Sequence, residues 1–178
     1  YMTLHGRNFG DLVGTIQVVG PDGSTGPADT TFPAECDRGS RYWSDTAITF
    51  KIPASLRSAG LGGSSATVPG AYQVYVQRRD GSVPSNRLGV TVTAGTPGPG
   101  LCDVSPDTGP SGTEVTFTGE RFGTTAGTIR FTGTSATTSA DSASILEWTD
   151  QRVRATVPVG ARTGSVLVRA GDRDSNDI

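Results

Sequence analysis

The sequence predicts an all-β chain made of two β-sandwich domains in tandem. Its 178 residues include 25 glycines and 11 prolines, which separate short runs rich in Val, Ile, Thr, Phe and Tyr. No stretch keeps the helical spacing of apolar residues over about ten positions without a glycine. Short runs divided by turn residues are typical of antiparallel sheets.

An internal repeat indicates two domains rather than one. Four aligned pairs of segments recur in the same order: residues 3–10 with 116–123, 14–18 with 127–131, 43–48 with 148–153, and 70–76 with 164–170. Repeats this long are whole domains, because smaller supersecondary units recur every 20–50 residues or so. Apolar residues alternate with polar ones in each copy, which predicts strands with one buried face.

We therefore predict a first sandwich over residues 1–94, a linker over residues 95–100 and a second sandwich over residues 101–178. The linker is rich in glycine and holds two prolines, which make it short and partly stiff. The second copy has an opening strand, predicted over 101–113, that the first copy lacks, and the first copy has a closing strand that the second lacks. We expect flanking sequence or a neighbouring subunit to supply these strands.

The second copy carries a spaced pattern of small and apolar residues. It reads Pro106-x-x-Gly109-x-x-Gly112-Thr113-x-Val115-x-Phe117-x-Gly119-x-x-Phe122-Gly123, followed by Trp148, Val153, Val157-Pro158 and Gly164. This pattern resembles the IPT/TIG family, whose immunoglobulin-like domains are shared by plexins and certain transcription factors. The resemblance covers the second copy and most of the first. It implies two immunoglobulin-like sandwiches of an extracellular or cell-surface protein.

Several positions of the pattern have a physical interpretation. Gly6 and Gly119 suit a bulge before the Phe-Gly turn. Phe9 and Phe122 are expected to close the end of each sandwich. Trp43 and Trp148 recur at one repeat position beside apolar strands, which favours core packing over exposed sugar-stacking platforms.

Charge and hydropathy disfavour two classes of partner. The formal net charge is −2, and Lys51 is the only lysine among 15 dispersed basic residues. Nucleic-acid binding usually needs clustered Lys and Arg, so we expect no nucleic-acid partner. No apolar run approaches the roughly 20 residues of a membrane-spanning helix, so we expect no membrane insertion in this segment.

The residues that catalysis would need are scattered. His5 is the only histidine, and its repeat partner is Thr118, which indicates an outward strand position. No serine elbow or phosphate-binding glycine loop occurs. The candidate carboxylates share no motif that would make an acid–base pair: Glu35, Asp37, Glu114, Glu120 and Glu147. The expectation is no catalytic residue, no cofactor and no enzyme activity.

A weak calcium candidate lies near the end of the second copy. Oxygen-bearing side chains alternate at Asp172, Asp174 and Asn176, as at the start of a calcium loop. No glycine or closing glutamate follows, so an ordinary hairpin turn is the favoured interpretation. We expect no other metal site.

Cys36 and Cys102 are disulfide candidates, because they lack the close paired spacing of a structural zinc site. A bridge between them would clamp the junction of the two domains. Alternatively, Cys36 pairs with a cysteine outside this sequence.

A Ser/Thr-rich segment predicts an exposed loop. Its candidates for O-linked glycosylation are Thr134, Ser135, Thr137, Thr138 and Ser139. Plain flexibility of this loop is the favoured alternative.

The leading functional hypothesis is a structural or adhesive module of a cell-surface or secreted protein. It would act as a spacer, or as a subunit of a filament or surface layer with strand exchange between neighbours. Its partners would be neighbouring domains or copies of the same protein. The alternative is an accessory carbohydrate-binding module of a polysaccharide-active enzyme, with glycans as partners.

Overall fold

The protein is all-β, as the sequence predicts. The computed structural model describes residues 1–36, 42–58, 63–133 and 144–178. Within these ranges the chain forms antiparallel sheets and one short 3-10 turn, Ala34–Cys36, without an α-helix.

The chain divides into two compact units. The C-terminal unit consists of Tyr1–Thr3, Phe32–Tyr42 and Pro97–Ile178, and the N-terminal unit consists of Leu4–Thr31 and Trp43–Thr96. The predicted boundaries do not anticipate that two segments of the first copy belong to the C-terminal unit. One of these segments contains Cys36.

Eight strands arise from the first copy of the repeat. They are β1 (Met2–His5), β2 (Thr15–Val19), β3 (Thr25–Pro27), β4 (Ala47–Phe50), β5 (Ser55–Arg57), β6 (Ser64–Ala66), β7 (Gly70–Gln77) and β8 (Leu88–Val92). Six of them form one sheet in the order β6-β5-β3-β2-β7-β8, and β1 pairs with β4. The predicted alternation holds, since β7 buries Tyr72, Val74 and Val76 and exposes Ala71 and Gln73.

The C-terminal unit packs two sheets face to face. Its strands are β9 (Gly100–Ser105), β10 (Glu114–Glu120), β11 (Thr128–Phe131), β12 (Ser144–Trp148), β13 (Arg152–Thr156), β14 (Val166–Ala170) and β15 (Arg173–Asp174). The sheets run β12-β13-β10-β9 and β11-β14-β15. One buried cluster joins both, with Phe117 and Val153 from the first sheet and Ile129 and Val168 from the second. Each such side chain contributes about 1.5–3 kcal/mol on burial.

The same tight turn follows β1 and β10. In the C-terminal unit, Arg121 has φ 62° and Gly123 has φ 71°, a left-handed pair that favours glycine at the second position. The Asp150 carboxylate accepts a hydrogen bond from the Gly123 amide at 2.8 Å, and its carbonyl accepts one from the Phe122 amide at 3.0 Å. One aspartate therefore satisfies two amides of the turn.

The N-terminal unit repeats this turn with its own residues. Asn8 has φ 62° and Gly10 has φ 80°. Asp45 accepts hydrogen bonds from the Gly10 amide at 2.9 Å and from the Phe9 amide at 3.1 Å. The turn is thus a structural property of both copies.

The two tryptophans close these turns and do not form exposed platforms. The Trp43 indole nitrogen donates to the Gly10 carbonyl at 2.8 Å, and that of Trp148 donates to the Phe122 carbonyl at 3.1 Å. Trp43 is buried, and Trp148 is partly buried against the core cluster. The packing interpretation is confirmed.

Gly119 forms the predicted bulge. The register between β10 and β9 shifts between Thr118 and Gly119. A Cβ atom at Gly119 would lie 2.0 Å from the Gly100 carbonyl oxygen and 2.4 Å from the Phe122 ring. Only glycine lets the two strands and the phenylalanine approach this closely.

The alignment of residues 70–76 with 164–170 is wrong by two residues. Ile16 pairs with Val76, whereas its counterpart Ile129 pairs with Val168. The amides of Val76 and Val168 both bond a serine hydroxyl, each at 2.9 Å. Val76 therefore corresponds to Val168. A shift of two residues keeps every side chain on its predicted face, so alternation alone cannot detect it.

The strands at the ends of the second copy also differ from expectation. β9 begins at Gly100, which the prediction placed in the linker, and ends at Ser105 rather than at residue 113. Ile178 exchanges two backbone hydrogen bonds with Val166, at 2.9 and 3.1 Å. The second copy therefore contains the first step of a closing strand.

We predict that Gly119→Ala destabilises the C-terminal unit by at least about 2 kcal/mol, because the new methyl group meets backbone that cannot yield. Gly98→Ala is the matched control, since its Cβ would have no neighbour closer than 3.7 Å. Urea unfolding of both variants measures the difference. Equal midpoints would contradict the assignment of Gly119 as an obligatory glycine.

Candidate functional site

The residues proposed for catalysis do not converge. His5 is exposed on β1, as predicted, but its repeat partner Thr118 is 5 % exposed, so the outward prediction is wrong for Thr118. In that unit the Ala34–Cys36 turn lies against β10. The turn covers a face that alternation alone assigns to solvent.

Three of the candidate carboxylates, Glu114, Glu120 and Glu147, lie beside arginines. Glu147 is 2.5 Å from Arg152 and 3.8 Å from Arg154, and Arg154 is also 2.7 Å from Glu114. Such exposed pairs contribute at most about 1 kcal/mol each, but they neutralise this sheet face. Of the remaining candidates, Glu120 pairs with Arg121, Glu35 is exposed, and Asp37 lies outside the described residues.

Asp174 and Asn176, two of the three calcium candidates, contact other groups of the protein. The Asp174 carboxylate is 3.0 Å from Arg169 and 3.6 Å from Arg130. The Asn176 amide accepts from the Leu101 N–H at 2.8 Å and donates to the Leu101 carbonyl at 2.9 Å, as a strand partner would. No group of three or more His, Cys, Asp or Glu suited to a metal occurs in the described ranges.

Cys36 and Cys102 are bonded to each other, with their Cα atoms 5.7 Å apart. Both belong to the C-terminal unit, so the bridge lies within that unit. Half-buried aromatic rings lie nearby: Phe32 is 5.4 Å from Tyr1 and 5.4 Å from Tyr42, measured between centroids. The bridge and these rings attach the Phe32–Tyr42 segment to the C-terminal unit.

The proposed glycosylation residues cannot be placed. Thr134, Ser135, Thr137, Thr138 and Ser139 lie outside the residues that the structure describes.

A cleft of about 750 Å³ opens between the two sheets of the C-terminal unit. Its lining combines apolar side chains, such as Val104, Phe131 and Val166, with polar ones, such as Asp107 and Arg162. A cleft that offers both kinds of group is a candidate binding site. The cleft could not be predicted from the sequence, because it depends on how strands distant in sequence pack.

The N-terminal unit has a side chain and a strand where the C-terminal unit has the cleft. Val74 corresponds to Val166, so Tyr72 corresponds to Gly164, which lines the cleft. The Tyr72 ring is buried, and its hydroxyl donates to the Val68 carbonyl at 2.8 Å. Beside it, β8 pairs with β7 along its length, with Val90 opposite Tyr72.

The outer face of the six-stranded sheet is a second candidate surface. Tyr75 is half-buried there, directly across from Gln17 on β2. The Arg87 guanidinium carbon is 5.3 Å from the centre of the Tyr75 ring. Arg87 also donates to the Gln73 amide oxygen at 3.2 Å. The sequence analysis did not single out these residues, because period-two alternation marks outward positions without ranking them.

Fold and surfaces together define an antiparallel β module. Residues 99–177 match the family model of the IPT/TIG domain. No curated protein matches the chain. No helix in the described ranges is long and apolar enough to span a membrane.

Two solved structures resemble the chain at low similarity. One is the surface glycan-binding protein PbSGBP-B from Prevotella bryantii, with 14 % identity and a TM-score of 0.38 over 98 % of this chain and 34 % of that one. The other is a crystal structure with a xylogluco-oligosaccharide, with 13 % identity and a TM-score of 0.38 over 99 % of this chain and 36 % of that one. The chain spans about a third of the length of each.

We predict that Cys36→Ser combined with Cys102→Ser destabilises the C-terminal unit by about 2–4 kcal/mol, because the bridge closes a long loop. Urea unfolding with and without dithiothreitol measures the effect. The reductant should lower the midpoint of the parent protein and leave the double variant unchanged. A parent protein insensitive to reductant would contradict a stabilising bridge.

Proposed function

We propose that the chain is a structural and adhesive module of a cell-surface or secreted protein, joined to its neighbours by strand addition at the cleft of the C-terminal unit. The observation that carries this proposal is the cleft beside β14, at the position that β8 occupies in the other copy. Ile178 forms the first hydrogen-bonded pair with Val166, as Leu88 does with Val74 in the other copy. In the N-terminal unit the pairing continues through Val90 and Val92.

The lining of the cleft supports an apolar strand as its occupant. A strand that continued the pairing would place alternate side chains over Val104, Phe131 and Val166, which line the cleft. Val90 and Val92 are half-buried at the corresponding positions of β8. Strand addition obtains affinity from main-chain hydrogen bonds and specificity from alternate side chains.

The disulfide supports the extracellular part of the proposal. Bridges such as Cys36–Cys102 persist in oxidising compartments and are rare in reducing ones. A non-catalytic role agrees with the pairing of Glu114 and Glu147 with arginines. Carboxylates held in this way contribute to a sheet surface and not to a reactive pair.

Carbohydrate binding is the second candidate function. The arrangement of Tyr75, Gln17, Gln73 and Arg87 on one outer sheet face favours it. An aromatic ring beside amide and guanidinium groups offers an apolar surface together with donors and acceptors for hydroxyl groups.

We predict that appending Gly-Val-Thr-Val-Thr, the sequence of residues 89–93, after Ile178 raises the melting temperature of the C-terminal unit by at least about 5 °C. The two valines would enter the cleft and bury apolar surface. The matched control appends Val-Thr-Val-Thr-Gly, which has the same composition and turns the valines to the outer face. Scanning calorimetry measures both chains.

Native mass spectrometry tests the adhesive part of the proposal. The unmodified chain should self-associate with rising concentration if copies exchange strands, and the appended strand should suppress this association. Equal melting temperatures for the two extended chains would overturn strand addition at the cleft.

A further inference from the structure

The outer face of the six-stranded sheet carries positive charge without carboxylates. The strands β2, β3, β5, β6, β7 and β8 contain no Asp or Glu. Arg57 extends from β5, where it pairs with Thr25, and Arg87 lies just before β8. The whole chain has a formal charge of −2, so this face differs in sign from the average surface.

The C-terminal unit shows the opposite arrangement on its four-stranded sheet. There Arg152 and Arg154 lie beside Glu147 and Glu114, and the face neutralises itself. Arg87 contacts the Tyr75 ring and the Gln73 amide, which are both neutral. Its charge therefore remains available to an anion.

Two contacts orient the Arg87 guanidinium. The Tyr75 ring lies 5.3 Å from its central carbon, and the Gln73 amide oxygen accepts a hydrogen bond from one terminal nitrogen at 3.2 Å. A guanidinium held by these two contacts loses less conformational entropy when its remaining donors bind a ligand. Its fork of parallel N–H groups matches the two oxygens of a carboxylate.

The surroundings of Arg87 suit a hydroxyl-rich ligand. Gly89 lies across from Gln73, and a Cβ atom placed there would have no neighbour within 4 Å, so the space beside the guanidinium is open. Gln17 lies across from Tyr75 and adds an amide donor and acceptor. Arg57 and Arg87 are separated by four strand spacings, on the order of 20 Å, which requires an extended ligand to contact both.

We propose that this face binds an acidic polysaccharide through its uronic acid carboxylates, with Arg87 as the main carboxylate receptor and Tyr75 and Gln73 as positioning residues. This inference rests on the carbohydrate-binding candidate and assigns its ligand class. It is independent of strand addition at the cleft.

The test compares two ligands that differ only at the carboxyl group: an oligogalacturonate and its methyl ester. Isothermal titration should show binding of the acid and at least about tenfold weaker binding of the ester, since a charged hydrogen-bonded contact is lost. Arg87→Ala should weaken binding of the acid about tenfold or more. Arg87→Lys should recover only part of the loss, because lysine keeps the charge but not the fork.

Further variants separate positioning from folding. Gln73→Ala should weaken acid binding and leave the affinity for the ester unchanged. Arg79→Ala is the matched control, because Arg79 is an exposed arginine outside the face and should bind like the parent. All variants should keep the parent melting temperature, since the altered side chains are exposed.

Three results would overturn the inference. Equal binding of acid and ester would leave carbohydrate binding standing and remove the carboxylate receptor. Absence of binding to both would remove the carbohydrate-binding candidate as well. Equal binding of dextran sulfate, with Arg79→Ala as harmful as Arg87→Ala, would identify unspecific attraction of polyanions.

Discussion

In each unit, an aspartate fixes the tight turn that follows β1 or β10. Asp150 accepts hydrogen bonds from the amides of Phe122 and Gly123, and Asp45 does the same for Phe9 and Gly10. An unsatisfied amide in such a tight turn costs roughly 1–3 kcal/mol. The aspartate therefore selects one backbone path, and that path directs the phenylalanine ring into the core.

The packing around the turn of the C-terminal unit depends on the position of the Phe122 ring. Phe122 is 1 % exposed and lies so close to Gly119 that no other residue fits there. The glycine in turn permits the bulge that fits β10 against β9. The Trp148 indole then closes the turn from outside by donating to the Phe122 carbonyl. These four residues, an aspartate, a glycine, a phenylalanine and a tryptophan, thus hold one another in position. Their mutual contacts explain why they recur together in the sequence.

Much of this frame could be predicted from the sequence. Alternation identified the buried faces of β7, β10, β13 and β14, and the repeat identified the turn residues in both copies. Register was harder, because a strand displaced by two residues presents the same faces. The pairing of Val76 and Val168 with their serines resolves the ambiguity only through hydrogen bonds.

The candidate sites were mostly beyond sequence reasoning. Burial of Thr118 depends on the Ala34–Cys36 turn, which is distant in sequence. At the cleft, Gly164 stands where the other copy has Tyr72, and the misplaced alignment concealed that difference. Arg87 gains its orientation from a ring and an amide on the neighbouring strand. A single sequence reveals periodicity, but not which outward side chains meet.

The two copies of the repeat share the residues that hold the turn and differ at positions outside it. Positions that hold the turn carry the same chemistry in both copies, because folding requires it. Positions outside the turn differ: Tyr72 stands where the other copy has Gly164, and Arg87, two residues after Ser85, stands where the other copy has Asp177, two residues after Ser175. Folding places no common demand on these positions, so their differences are free to serve binding. Substitutions of the exposed Arg87 should alter recognition with little change in stability, whereas substitutions in the turn should do the reverse.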